Sequence, residues 1–143
     1  MISKQLSVFI ENRQGRLGEV LGVLKDNGVN ILSLSLADTT EFGLLRLIVN
    51  DPTLATQKLT EKGFSAMLTN ILIAKINHKS GSLQELLECL TAKNINVEYM
   101  YGLSIEGEKA TVVLKTDNLE NADKVLQENG FTTLTNADVV GIN

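Results

Sequence analysis

The chain has 143 residues, of which 43% are hydrophobic, and this content is typical of a packed globular protein. Its 13 basic and 17 acidic residues give a net charge of −4 without a basic cluster, so we expect no nucleic acid partner. A single cysteine, Cys89, excludes an intrachain disulfide, and the presence of only one histidine, His78, argues against metal or hydrolytic chemistry. We expect no cofactor. No run approaches the roughly 18 apolar residues of a membrane span, so we expect a cytoplasmic protein without a membrane partner.

The first predicted elements are a strand, a helix and a second strand. Alternating apolar residues indicate the first strand, and they are Leu6, Val8 and Ile10. The helix is indicated by an apolar stripe, which consists of Leu17, Val20, Leu21 and Leu24. Gly28 ends this helix, because glycine tolerates the left-handed conformation of a helix cap. The second strand alternates through Leu32, Leu34 and Leu36, and we expect these leucines to lie on the face opposite to Ile31.

A hairpin, a second helix and a fourth strand follow. The polar connection Asp38–Glu41 leads into the apolar run Leu44–Val49, which predicts a hairpin. Asp51 followed by Pro52 is typical of a helix start, with a capping carboxylate and a proline at the first helical position. Gly63 ends this helix before the apolar run from Phe64 to Leu68.

The second half of the chain repeats the first at an offset of 66 residues, which separates Gly15 from Gly81. The matched pairs are Leu17 with Leu83, Gly28 with Asn94, Asn30 with Asn96, Asp51 with Asp117 and, after one inserted residue, Gly63 with Gly130. In the second copy, Glu106 and Gly107 supply the hairpin turn, and Asp117 or Asn118 caps the second helix. We therefore predict two domains, residues 1–69 and 70–143.

The order βαββαβ, found twice, predicts an α+β protein built from two ferredoxin-like units. Each unit has an antiparallel sheet with both helices on one face, because right-handed crossovers return to the same side. Either core is thin, so we expect the two units to share an interface. The tail from Ala137 to Ile142 is expected to extend the last strand or to form an added edge.

The polar loop before the first helix is a candidate ligand site. Residues 12–17 turn directly into a helix whose first amide groups lack intrahelical partners, and such an end attracts carboxylate or phosphate. Gly15 either lets a ligand approach the backbone or simply makes a tight turn.

The polar loop with its glycine, the apolar helix and the following Asn-Ile or Asn-Val resemble the ACT family, whose usual form is Asn-x-Pro-Gly-x-Leu, a helix and Gly-Val-Asn-Ile. The resemblance covers essentially the whole chain. It implies paired units with an amino acid between the first loop and helix of one unit and the second strand of the other. The residues it implicates are Asn12, Gly15, Arg16, Leu17, Asn30 and Ile31, and in the second copy Asn77, Gly81, Ser82, Leu83, Asn96 and Val97. Gln14 and Ser80 replace the family's proline, and His78 replaces the loop asparagine.

The segment Val97–Tyr101 also resembles a segment of tandem ACT proteins. Tyr99 and Tyr101 point the same way on a strand, so they either wall a pocket for an apolar or aromatic ligand or fill the core between sheet and helices. The matching residues of the first copy are Ser33 and Ser35. Cys89, by contrast, lies beside an apolar helix stripe and is expected to be a packing residue.

These features favour a non-catalytic amino-acid sensor that changes its own assembly or regulates a metabolic enzyme on another chain. We expect at least a homodimer, because the predicted strands are apolar on both faces. One alternative is an interaction or structural protein that binds no ligand. Another is a small acylphosphatase-like enzyme that uses Arg13 or Arg16 as an anion clamp. The shared fold does not decide among these functions.

Overall fold

The structure is a computed structural model and describes residues 1–38 and 41–140. The strands are β1 (Ser3–Glu11), β2 (Ile31–Asp38), β3 (Phe42–Val49), β4 (Ser65–Asn77), β5 (Val97–Glu106), β6 (Lys109–Thr116) and β7 (Thr132–Leu134). The helices are α1 (Arg16–Asp26), α2 (Pro52–Glu61), α3 (Ser82–Thr91), α4 (Leu119–Glu128) and α5 (Asn136–Val140). The predicted polar connection between β2 and β3 includes residues 39 and 40, which lie outside the described residues.

The chain divides into two compact units. The N-terminal unit is Lys4–Thr69, and the C-terminal unit comprises Met1–Ser3 and the described chain from Asn70 to residue 140. Strand β4 contributes its residues through Thr69 to the first unit and its remaining residues to the second. The strand orders are β2-β3-β1-β4 in the N-terminal unit and β5-β6-β4-β7 in the C-terminal unit. The strand pairs β1–β3, β2–β3, β4–β6, β4–β7 and β5–β6 are antiparallel, so the predicted α+β fold class is confirmed.

Both helices of the N-terminal unit cover the same face of its sheet. The core side chains from α1 and α2 are Val20, Leu24, Ala55 and Leu59. They pack with alternate strand residues, which are Leu6, Val8, Ile10, Leu45, Leu47 and Val49. Because alternate residues of a strand point to one face, this set defines a single helix-covered face.

The C-terminal unit has an equivalent core. Helices α3 and α4 contribute Leu86, Leu90, Ala122, Val125 and Leu126. The strand residues in this core also alternate, and they are Leu72, Ala74, Ile76, Ala110, Val112 and Leu114. The prediction of helices on one face is therefore confirmed in both units.

The predicted helix ends are formed by the expected residues. Gly28 and Asn94 adopt positive φ values of 68° and 58° at matching positions. The Asp51 carboxylate accepts a hydrogen bond from the Leu54 amide at 3.1 Å, with Pro52 at the first helical position. In the second copy Asn118 is the cap of α4.

Asp117 has a different role from the one that its alignment with Asp51 implied. Its carboxylate accepts a hydrogen bond from the Asn96 amide at 3.2 Å, and Asn50 accepts one from the Asn30 amide at 2.8 Å. Asp117 therefore matches Asn50, and the alignment with Asp51 was wrong by one residue. The extra residue of the second copy therefore precedes Asp117 and lies in the β5–β6 hairpin.

A bulge in β2 changes which face its leucines occupy. The pairing with β3 shifts register after Ile31, and beyond the shift Leu34 pairs with Leu47 and Leu36 with Leu45. Directly opposed residues share a face, so Leu34 and Leu36 lie on the helix-covered face. The expectation that these two leucines face away from Ile31 is wrong, because Ile31 also packs against this core. They remain 47% and 48% exposed on an edge strand.

The tail is helical over residues 136–140. The expectation that it extends the last strand or forms an added edge is therefore wrong for these residues. Thr135 and Asp138 form a capping box. The Thr135 amide and hydroxyl donate to the Asp138 carboxylate at 2.8 and 2.9 Å, and the Asp138 amide donates to the Thr135 hydroxyl oxygen at 3.2 Å. Residues 141 and 142 lie outside the described residues.

Candidate functional site

A left-handed glycine opens the first helix of each unit. Gly15 and Gly81 precede α1 and α3 with φ values of 88° and 85°, and no side chain in the described part of the chain caps either helix. Glycine adopts this backbone conformation without a steric penalty. A Cβ added at either position meets nothing within 4 Å, so the backbone is open to approach at both turns.

Only some of the helix-start amides are available to a ligand. The amides of Arg16 and Ser82 each donate at 3.3 Å to a carbonyl in the preceding turn, that of Arg13 or Lys79. The next amides have no hydrogen-bond partner among the described residues, and they belong to Leu17, Gly18, Leu83 and Gln84. These unpaired donors, together with the helix dipole, favour a carboxylate at each helix start.

Arg16 and Ser82 occupy equivalent positions but differ in what they contact. The Arg16 guanidinium carbon lies 4.3 Å from the centroid of the Phe64 ring, and Nη1 donates to the Glu19 carboxylate at 2.6 Å. Its Nε is buried without a hydrogen-bond partner. Ser82 is 4% exposed, and its Oγ is likewise buried without a partner in the described part of the chain. Both first helical residues therefore hold an unsatisfied buried polar atom.

Four of the predicted site residues lie at the far end of the same helices, and they are Asn30, Ile31, Asn96 and Val97. Asn30 and Asn96 follow α1 and α3, and their backbone groups bond to Asn50 and Asp117. Helix α1 has 11 residues and is therefore about 16 Å long. The residues before the helix and those at the start of the following strand are therefore too far apart, within one unit, to contact the same small ligand.

A cleft of about 420 Å³ lies at the start of β2. It contains the predicted residues Asn30 and Ile31, together with Leu21 and Lys25 of α1. The sequence did not identify Leu21 and Lys25 as lining residues of this cleft. Leu21 was assigned to the apolar stripe of α1 that packs into the core, and Lys25 was given no role. Lys25 was recognisable as the basic residue in the last turn of this helix.

Tyr99 and Tyr101 lie on the sheet face opposite to the helices. They pair with Lys115 and Val113, whereas Met100 between them pairs with the core residue Leu114. The interpretation that the tyrosines fill the core between sheet and helices is therefore wrong. Both side chains are partly buried.

These geometric features agree with the comparisons with known proteins. The sequence family described as an ACT domain pair matches residues 1–142. The chain belongs to the ACT domain family. Among solved structures, protein BT0572 from Bacteroides thetaiotaomicron is 34% identical, with a TM-score of 0.93 over 97% of this chain and 96% of that one. No curated protein matches the sequence.

More distant ACT-like structures share the fold. The regulatory subunit of aspartate kinase from Thermus thermophilus, in its ligand-free form, is 15% identical with a TM-score of 0.63, over 91% of this chain and 97% of that one. The corresponding subunit from Thermus flavus is 14% identical with a TM-score of 0.60, over 90% and 94% of the two chains. None of the helices in residues 1–38 and 41–140 has the length and apolar content needed to cross a bilayer.

The loops of the two ACT units are held by matching contacts. The amides of Asn12 and His78 donate to carbonyls of the neighbouring hairpin, those of Glu41 and Glu108, at 3.0 and 2.6 Å. His78 is thus the counterpart of Asn12. The Asn77 side-chain oxygen accepts from Lys109 Nζ at 2.5 Å, so Asn77 is engaged in holding this loop to the hairpin.

Cys89 is a packing residue of the C-terminal ACT unit. It packs against the core, and its thiol donates to the Leu86 carbonyl at 3.1 Å. Burial raises the pKa of the Cys89 thiol above its ordinary value, and backbone hydrogen bonds from Cys89 and Leu90 lower it by less. A raised pKa disfavours the nucleophilic thiolate.

Proposed function

We propose that this ACT protein is a non-catalytic sensor in the cytoplasm that binds a free amino acid through its carboxylate at a helix start. The observation that supports this most strongly is the pair of glycine-capped turns with unpaired amides, at α1 and α3. An amino-acid carboxylate carries the charge that such amides prefer. The buried Oγ of Ser82 adds a polar atom that a ligand would satisfy.

The start of α3 is the better candidate of the two. In the N-terminal unit, Arg16 extends over Phe64, whereas the equivalent Ser82 is too short to cover the matching residue, Phe131. Leu17 packs against the core of the N-terminal unit, but the equivalent Leu83 is 41% exposed and is available for contact with an apolar ligand. We propose that Arg16 takes the ligand's place in the first copy.

The amino group of the ligand would face the second strand of a neighbouring ACT unit, near Asn30 and Ile31 or near Asn96 and Val97. Backbone carbonyls and asparagine oxygens accept hydrogen bonds from an ammonium group. The distance of about 16 Å between the two sets within one unit supports a site that needs two units. Tyr99 and Tyr101, on the sheet face opposite to the helices, would contribute only where a ligand reaches that face.

The downstream effect would be regulation of a metabolic enzyme on another chain, or a change in the protein's own assembly. Two solved structures that share this fold are regulatory subunits of aspartate kinase, which supports the first possibility by analogy. The family is regulatory, and the raised pKa of the Cys89 thiol gives no support to a nucleophilic enzyme.

A thermal-shift screen over the common amino acids tests the proposal. Ligand at about a hundred times its dissociation constant adds about 2.7 kcal/mol, a rise of several degrees for a chain of this size. We expect one amino acid or a small chemical group of them to give this rise. No rise at millimolar concentration of any amino acid would instead support an interaction protein without a ligand.

Two reciprocal substitutions then test whether the amino acid binds at the start of α3. Ser82→Arg places in the C-terminal unit the side chain that Arg16 supplies in the N-terminal unit, and we expect it to weaken binding at least tenfold. Arg16→Ser is the matched control and should leave that affinity within about twofold. Calorimetry on folded variants measures both, and equal affinity in wild type and Ser82→Arg would exclude the α3 site.

A further inference from the structure

A second cavity lies in the C-terminal unit, and the residues that line it do not include those at the start of α3. It has a volume of about 370 Å³ and lies between the loop before α3 and the β5–β6 hairpin. The residues around it are mainly apolar, and they are His78, Gly102, Leu103, Ser104, Ile105, Ala110, Thr111 and Val112. A volume near the lower end of the range for small-molecule pockets points to a compact ligand.

The cavity lies where the second copy departs from the first. In the β5–β6 pairing, Gly102 pairs with Val112 and Ser104 with Thr111, so Leu103 between them is the inserted residue. The first copy has no such shift after Leu36, which pairs with Leu45 in the equivalent register. Bulges of this kind are over-represented beside functional sites.

The residue exchange beside the bulge opens the cavity. By register, Gly102 takes the place of Leu36, and Ala110 takes the place of Gly43. In the N-terminal unit, Leu36 Cδ1 lies 3.2 Å from the position that a Cβ on Gly43 would occupy, so the leucine covers that part of the sheet. A Cβ on Gly102 would meet nothing within 4 Å, and the equivalent space in the C-terminal unit is open.

We propose that this cavity binds a small molecule through a branched aliphatic group, with a polar or anionic end placed at His78. The aliphatic group would occupy the space that the isobutyl group of Leu36 covers in the first copy. The His78 imidazole has no hydrogen-bond partner among the described residues and can donate to an oxygen of the ligand. The site is independent of the proposed amino-acid site because it uses neither the amides nor the serine at the start of α3.

The number of lining residues favours a small molecule over a protein partner. Stable protein interfaces use roughly 20–30 residues on each side, far more than surround this cavity. A glycine within a strand is also typical of a place where a ligand approaches the backbone closely. Gly102 does not have a positive φ, so the need for a left-handed backbone does not explain this glycine.

Amide NMR titrations of the full chain with isocaproate and with isohexanol test the proposal. Both probes carry the isobutyl group, and neither has the amino group of an amino acid. We expect saturable shifts in the amides of residues 102–105 and 110–112, with isocaproate bound at least threefold more tightly than isohexanol. Shifts that do not saturate, or that centre on Leu83 and Gln84 instead, would overturn the proposal.

Three variants make the test specific. Gly102→Leu restores the residue of the first copy and should weaken both probes at least tenfold, with a thermal midpoint equal to or above that of the wild type. Leu36→Gly is the reciprocal control and should leave both affinities in the C-terminal unit within twofold. His78→Ala should weaken isocaproate more than isohexanol. Wild-type affinity in Gly102→Leu, or equal losses for both probes in His78→Ala, would contradict the proposed binding mode.

Discussion

Single residues decide how the two copies differ at the helix starts. The glycines were recognisable from the sequence because their position in a strand-to-helix turn requires a left-handed backbone, and both adopt it. The different contacts of Arg16 and Ser82 were not recognisable from the sequence. They depend on the packing of Arg16 over Phe64, which joins residues far apart in the chain.

The left-handed turn at Gly81 gives a test at the level of one residue. Gly81→Val should weaken amino-acid binding at least tenfold more than Gly81→Asn, because asparagine tolerates a φ of 85° and a β-branched residue does not. Calorimetry on the two folded variants measures the difference. Similar affinities would show that the conformation of this turn does not hold the ligand.

Cys89 gives a second prediction at this scale. Since burial raises the pKa of its thiol, less thiolate is present at pH 8 than in an exposed cysteine. We expect a thiol-specific reagent to modify the native protein at least threefold more slowly than the unfolded chain. Cys89→Ala should keep full amino-acid affinity, and a loss of binding in that variant would assign the thiol a functional role.

At the scale of elements, local patterns predicted most strands and helices, and the bulges escaped them. Alternation and helical stripes involve near neighbours, so β1, α1 and the capped α2 were predictable from sequence. A bulge adds one residue without a characteristic sequence, and both β2 and β5 contain one near their start. This is why the faces of Leu34 and Leu36 were assigned wrongly.

The short helix α5 carries a pH prediction. Hydrogen bonds from the Thr135 amide and hydroxyl hold the pKa of the Asp138 carboxyl below its ordinary value, with a smaller opposing effect of burial. A lowered folded-state pKa means that this stabilisation is present above the ordinary pKa of about 4 and is lost as the pH falls through the lowered value. An NMR titration of the Asp138 carboxyl should show the lowered pKa. Thr135→Val should raise it, and no change in that variant would remove the hydroxyl as a cause.

At the scale of the whole molecule, the internal repeat was the most informative feature of the sequence. It predicted the element order of both ACT units because the same apolar and glycine positions recur at a fixed spacing. The candidate site was predictable only in part. The loop glycines and helix starts came from local sequence, whereas the cavity beside Gly102 depends on an exchange with Leu36 that becomes visible only when the register is known.

The edge strand of the N-terminal unit leads to the prediction of a homodimer. Strand β2 ends the sheet order of this unit, and Leu34 and Leu36 on it are 47% and 48% exposed. An exposed apolar edge strand is a template for pairing with another chain, and pairing would bury these leucines. Light scattering at micromolar concentration should give a mass about twice 15.6 kDa.

A charge on this edge should separate the two copies. Leu34→Lys would bring like charges together across a two-fold interface, at a cost of several kcal/mol, and we expect a monomer. Met67→Lys is the matched control, because Met67 is 53% exposed but lies on β4 rather than on this edge. If the Leu34→Lys protein remains a dimer while the Met67→Lys protein becomes a monomer, the interface does not lie at β2. A wild-type mass of 15.6 kDa would remove the dimer altogether.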